Sequence, residues 1–133
     1  MAFIGIDVEP NRPNPPGVLE YVACERELSS LETLRHADDT VSWDRLLFSA
    51  KESYYKSWYP VTRRWIGFLD AVVDLGTDGS FRVSLRSGSD IDCPPELQNA
   101  KGKWTRFGGY LLTSVWHCWS DGAPYLSSLG EAP

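Results

Sequence analysis

The most strongly patterned stretch of the chain runs from about Trp43 to Tyr59. At 3.6 residues per turn, Leu47, Ala50, Tyr54 and Trp58 fall on one side, while Arg45, Ser49, Glu52 and Lys56 form a narrow polar stripe on the other. The pattern predicts a long amphipathic helix, with Ser42 placed to cap it and Pro60 to end it. Lys51 breaks the pattern: it lies on the side of Leu47, Tyr54 and Trp58, where a cation must run its stem out to water or meet an anion. Glu52 in turn is flanked by Phe48, Tyr55 and Tyr59. Taken alone, Glu52 and Lys56 are an ordinary i,i+4 pair, about 0.2–0.5 kcal/mol on a solvated helix.

A second pattern has period two. From Phe3 to Glu9 the residues alternate as in a strand, with Ile4, Ile6 and Val8 assigned to the core and Gly5, Asp7 and Glu9 to the opposite face. Aspartate is disfavoured in strands, so Asp7 in so apolar a run asks for a reason. One reading is a charged edge strand that resists aggregation. Another is chemical: carboxylates two residues apart have Cα atoms roughly 6–7 Å apart, and their side chains can converge on one hard cation. Gly5 removes a side chain where another group approaches closely. Pro10 and the proline-rich run to Gly17 end the strand.

The remaining elements are packing elements. Val18 to about Leu34 reads as one helix burying Leu19, Val22, Ala23, Leu28, Leu31 and Leu34. Gly67–Leu75 and Phe81–Arg86 flank the turn residues Gly76 to Ser80 and predict a hairpin. Ser87 to Gly102 reads as loop, with Pro94 and Pro95 as punctuation. A strand from Tyr110 to Trp116 pairs with Trp104–Phe107 across Gly108 and Gly109. His117 beside Cys118 is no metal pair, because neighbours on a strand point to opposite faces. The expected fold class is α+β, a small antiparallel sheet packed with one long and one shorter helix. Residues 1–119 form the domain and residues 120–133 a flexible tail.

Composition narrows the function. With 133 residues there is room for one core. At 42% hydrophobic and 13% aromatic residues the chain is globular rather than disordered. Neither a membrane-length apolar run nor a charged-then-apolar leader is present in the sequence, and Cys24, Cys93 and Cys118 are too widely spaced for a zinc site. These features lead to an expectation of a reducing, cytoplasmic setting without membrane association. A net charge of −5 argues against a general nucleic-acid binder. Lys51, Lys56, Arg63 and Arg64 form a local basic patch on this acidic body, better suited to a small anionic ligand.

Two segments together carry a family likeness. Phe3-Ile4-Gly5-Ile6-Asp7-Val8-Glu9, followed by Phe48-Ser49-Ala50-Lys51-Glu52-Ser53-Tyr54-Tyr55-Lys56, resembles the paired signature of the 4′-phosphopantetheinyl transferases, G-[IV]-D-x-E and [FW]-S-x-K-E-[AS]-x-x-K. The continuation Ser57 to Trp65 resembles bacterial members that serve polyketide, nonribosomal-peptide and lipid synthases. The resemblance implies transfer of the phosphopantetheine arm of coenzyme A to a serine of an apo acyl or peptidyl carrier protein. It further implies that Asp7, Glu9 and Glu52 hold Mg²⁺, that Lys51 and Lys56 contact phosphate, and that Phe48, Tyr55 and Trp65 line the pantetheine channel. Glu52 is the first choice for the base that takes the serine proton, and Lys56 the second.

Larger members of this kind are pseudo-dimers with the active site between two halves, and this chain resembles the second half only. Met1, two residues before a core strand, is read as a late start, a fragment or a stand-alone half. Small relatives assemble as homotrimers. A lone half would expose the apolar face meant for its partner, so a separate first half or self-association is expected. A second function class therefore stands beside the enzyme: a half-domain that binds a partner half or a carrier protein without turnover.

Overall fold

The computed structural model describes residues 2–86 and 98–118, the side chains of Ala2, His117 and Cys118 excepted. The loop reading of 87–97 and the tail from Ser120 lie outside them. Strand β1 (Ala2–Pro10) is followed by helices α1 (Val18–Val22), α2 (Glu25–Ala37) and α3 (Trp43–Thr62). A 3₁₀ turn at Phe68–Asp70 leads to strands β2 (Ala71–Leu75), β3 (Ser80–Leu85), β4 (Asn99–Phe107) and β5 (Tyr110–Cys118). The strands form one antiparallel sheet in the order β1-β5-β4-β3-β2. This is the expected α+β arrangement.

Helix α3 crosses the β1 and β5 end of the sheet, and the core lies around it. Trp43, Leu46, Leu47, Ala50, Tyr54, Trp58 and Val61 are buried together with Leu31 of α2 and with Phe81, Val83, Leu111 and Val115 of the sheet. The hairpin turn forms as read. Asp78 Oδ1 accepts the Ser80 amide at 3.1 Å, and Gly79 takes the left-handed φ of 88° that the turn requires.

Strand β1 presents its faces the other way round. Ile4 is 61% exposed and Ile6 and Val8 about half exposed, while Gly5 and Asp7 are buried. The reason is steric. Ser49, Ser53 and Ser57, one turn apart, give α3 a shallow groove, and Ser53 and Ser57 fold their hydroxyls onto the carbonyls of Ala50 and Tyr54. Gly5 seats in that groove: a Cβ there would stand 1.8 Å from the Ser53 carbonyl oxygen. Only glycine allows the approach, and it carries Asp7 and Glu9 onto the helix with it. The polar stripe of α3 therefore meets β1 and β5 rather than water alone; Ser49 Oγ and Thr113 Oγ1 are 2.9 Å apart and buried.

Five other expectations change. The helix expected over Val18–Leu34 is broken at Ala23 and Cys24, whose extended backbone lets Glu27 reach back to the Cys24 amide at 3.0 Å. Leu28, expected to be buried, is 41% exposed. Helix α3 continues past Pro60, because a proline removes one amide bond while Trp58 and Val61 keep the last turn buried; Arg63 closes it in the left-handed region with its N–H on Tyr59 O at 2.8 Å. Ser42 stands at the N-cap position, but its side chain makes no cap bond. Strand β4 also starts at Asn99, inside the stretch read as loop.

Candidate functional site

The two acids of β1 face α3 one helical turn or more apart along it. Lys56 donates to Asp7 Oδ1 at 2.9 Å and to the Ile6 carbonyl at 3.2 Å. Arg45 donates to Glu9 Oε1 at 3.1 Å. Asp7 is only 7% exposed, and its second oxygen, Oδ2, is buried with no hydrogen-bond partner. Such an atom is uncommon enough to need an explanation, and a bound ion is one of the few available.

Glu52 belongs to the same electrostatic group. Partial burial holds its pKa above the usual carboxylate value, the charge of Asp7 adds to that rise, and Lys56 opposes it. Glu9 is raised for similar reasons, burial first and then Asp7, with Arg45 pulling the other way. Three carboxylates thus share more negative charge than their two cations neutralise. Among the described residues, no three acidic, histidine or cysteine side chains close around a point as a finished metal cage. What the chain offers is a hard-oxygen donor set with one unused buried oxygen. That chemistry fits Mg²⁺, an ion that keeps several waters or substrate oxygens in its shell.

Glu52 also opens onto a pocket of about 260 Å³ whose lining is mostly apolar, including Tyr55, Trp65, Ile66, Phe68 and Ala71. Tyr55 and Trp65 stack with ring centres 5.2 Å apart, and Tyr59 lies 5.3 Å from Trp65. Trp65 is 78% exposed, so this stack is a platform at the pocket mouth rather than part of the core. Phe48 stands one layer behind the lining, packed on Phe68 at 5.6 Å.

Lys51 also lines this pocket, but its ammonium is already taken up by acceptors of the protein. It is buried, and its ammonium donates to Glu27 Oε1 at 2.8 Å, Phe68 O at 2.7 Å and Val22 O at 2.5 Å. Those three bonds use every hydrogen it has, leaving none for a phosphate. Burial pushes its pKa down and Glu27 pulls it back up. The expected basic patch is therefore smaller, since Lys51 is not part of the surface that Lys56, Arg63 and Arg64 reach.

Two residues escaped the sequence reading. Glu27 was absorbed into a packing helix, and Arg45 into a polar stripe. A signal for Glu27 existed: it lies four and seven residues before Leu31 and Leu34, a charge on a buried face, just as Lys51 is on α3. Two opposite charges misplaced on two apolar faces point to each other.

The sequence model of the 4′-phosphopantetheinyl transferase superfamily matches residues 3–114, most of the chain. The chain belongs to that superfamily. It is similar to the 4′-phosphopantetheinyl transferase PptT of Mycobacterium tuberculosis, 39% identical over 119 residues, which cover 84% of this chain and 51% of that protein. The transferase Svp of Streptomyces mobaraensis is 38% identical, with 86% of this chain and 47% of that protein covered. Npt of Nocardia iowensis is also 38% identical, with 84% and 53% covered. The chain spans about half the length of these curated phosphopantetheinyl transferases.

Proposed function

We propose that the chain works in Mg²⁺-dependent transfer of 4′-phosphopantetheine from coenzyme A to a serine of an apo acyl or peptidyl carrier protein, as the half that carries the acidic site and the pantetheine wall. The observation that supports this best is the unpartnered buried oxygen of Asp7, in electrostatic contact with Glu9 and Glu52, beside an aromatic pocket that also begins at Glu52. Asp7, Glu9 and Glu52 would hold the ion, which when bound offsets charge on the pyrophosphate oxygens. Lys56, half exposed and bonded to Asp7 and the Ile6 carbonyl, has one hydrogen left to give a phosphate oxygen.

The serine oxygen forms a bond to the pantetheine-side phosphorus, the bridging P–O bond breaks, and adenosine 3′,5′-bisphosphate leaves. Glu52 takes the serine proton. In the metal-free chain its pKa is raised, chiefly by partial burial, which suits a base, whereas Lys56 spends hydrogens on Asp7 Oδ1 and the Ile6 carbonyl. The Tyr55 and Trp65 stack gives the thin pantetheine arm an apolar wall.

A second reading, a non-catalytic half-domain that binds a partner half or a carrier protein without turnover, has its own support. On the face of the sheet away from α3, Ile4, Ile6, Val8, Tyr110 and Trp116 are all exposed, and the register puts Trp116 beside Ile4. Intact-mass analysis of an apo carrier protein incubated with the chain, Mg²⁺ and coenzyme A separates the two. Mass gain with the chain alone, or only after adding the first half of a relative, supports the transferase reading. No gain under either condition overturns it, and the second reading then stands only if the chain binds that first half or the carrier protein in a pull-down.

A further inference from the structure

Arg45 connects the acidic site to the loop that leaves β1. Its side chain is 13% exposed, and its guanidinium donates in three directions: to Glu9 Oε1 at 3.1 Å, to the Pro13 carbonyl at 2.9 Å and to the Arg12 carbonyl at 3.2 Å. The same loop is pinned twice more to the start of α3. Asn14 bonds through its amide to Asp44 Oδ2 at 2.9 Å and through its side chain to Asp44 O at 3.0 Å. Asn11 bonds to Thr40 O at 3.1 Å and accepts the Ser42 amide at 2.8 Å. Of these attachments, only the one through Arg45 also grips a carboxylate of the site.

We infer that Arg45 is a positioning residue, fixing the Glu9 carboxylate for the cation and making the order of the 11–16 loop depend on the state of that carboxylate. The inference rests on the reading of Asp7, Glu9 and Glu52 as the metal-side acids. A planar fork is needed because the three acceptors are two successive loop carbonyls and a side chain, each met by a different guanidinium nitrogen, and one ammonium on a flexible stem does not reach all three. Without it, Glu9 loses the cation that offsets the like charge of the neighbouring Asp7.

Charge and position predict opposite outcomes, which makes the inference testable. If Arg45 were only a counter-ion, removing it would leave the site more negative and tighten cation binding. If it positions Glu9, removing it weakens binding, on the order of 10-fold for a residue that orients a ligand.

The test titrates the full chain with Mn²⁺ alone, followed by electron paramagnetic resonance, for the parent, Arg45→Ala and Arg45→Lys. Hydrogen exchange is read on the same samples. Both variants should bind Mn²⁺ about 10-fold more weakly, and the Arg12 and Asn14 amides should exchange faster while Leu111 and Val115 in the core stay protected. Arg45→Lys keeps the charge, so its weakening isolates the fork. Tighter or unchanged Mn²⁺ binding in Arg45→Ala overturns the inference while leaving the metal reading intact. A parent chain that binds no Mn²⁺ overturns the metal reading and the Glu9 part of the inference with it. Unchanged loop exchange in Arg45→Ala overturns the loop part whatever the metal does.

Discussion

Lys51 and Lys56 stand five residues apart on one helix, each paired with a carboxylate from another element, and they do different jobs. The Lys51–Glu27 pair is closed. Three acceptors meet the ammonium, Glu27 takes the Cys24 and Val73 amides at 3.0 and 2.8 Å, and both side chains are almost wholly buried. The Lys56–Asp7 pair is open: the Lys56 side chain is 48% exposed and one buried carboxylate oxygen has no donor. A fully satisfied ion pair holds elements together and has no capacity left for a ligand. An under-satisfied one is where a ligand belongs; among the described residues the other buried side-chain oxygen without a partner is the Tyr55 hydroxyl, which belongs to the adjoining pocket.

The same substitution at both positions tests this most sharply. Lys51→Met should lower unfolding stability in urea by about 3–5 kcal/mol, since Glu27 would stay buried without its cation. Replacing both partners often restores stability when a buried pair is isolated. Here Glu27→Leu with Lys51→Met should recover little, because the pair also serves the Cys24 and Val73 amides and the Val22 and Phe68 carbonyls. Full recovery in the double variant would show that those backbone groups find other partners, and that the pair is less of a junction than its geometry implies.

Lys56→Met should cost less, about 1–3 kcal/mol, because Lys56 is half solvated even though Asp7 would stay buried without its donor. Its effect should fall on function instead. In the carrier-protein mass assay, turnover should drop by about two orders of magnitude or more if Lys56 contacts phosphate as proposed. If Lys56→Met destabilises the chain as much as Lys51→Met does, the contrast between a closed and an open pair fails.

The closed pair was only half legible in the sequence. Lys51 announced itself as a cation on an apolar face in need of an anion, but the family likeness supplied a phosphate, and the nearer answer, Glu27, was hidden in a helix read as featureless. The open pair was easier, because Asp7, Glu9, Glu52 and Lys56 sit in one recognisable signature. Period-two alternation found β1 correctly and oriented it wrongly: Ile4, Ile6 and Val8 outweigh Gly5 and Asp7 in hydrophobicity, and only the groove of Ser49, Ser53 and Ser57 reverses the choice. Such a groove is a property of two elements together. Arg45 shows the same limit, since nothing in a helical stripe says which strand and loop will lie against it.

The smallest expected effect concerns the proton on Glu52. Its folded-state pKa is raised, by burial first and then by Asp7, so the folded chain binds this proton more tightly than the unfolded one does. Stability from this group is complete below the ordinary carboxylate value of 4.5 and is lost as pH rises through the folded-state value. At neutral pH the ionised Glu52 is therefore a burden, and Glu52→Gln should stabilise the metal-free chain by no more than ~1 kcal/mol, given its partial solvation. Below pH 4.5 the two melting temperatures should converge. Mn²⁺ should then reverse their order at neutral pH, raising the melting temperature of the parent and leaving Glu52→Gln where it was, because a ligand stabilises only the folded state that binds it. A variant that melts lower than its parent without metal would mean that Glu52 is already satisfied, and the open site would shrink to Asp7 and Glu9.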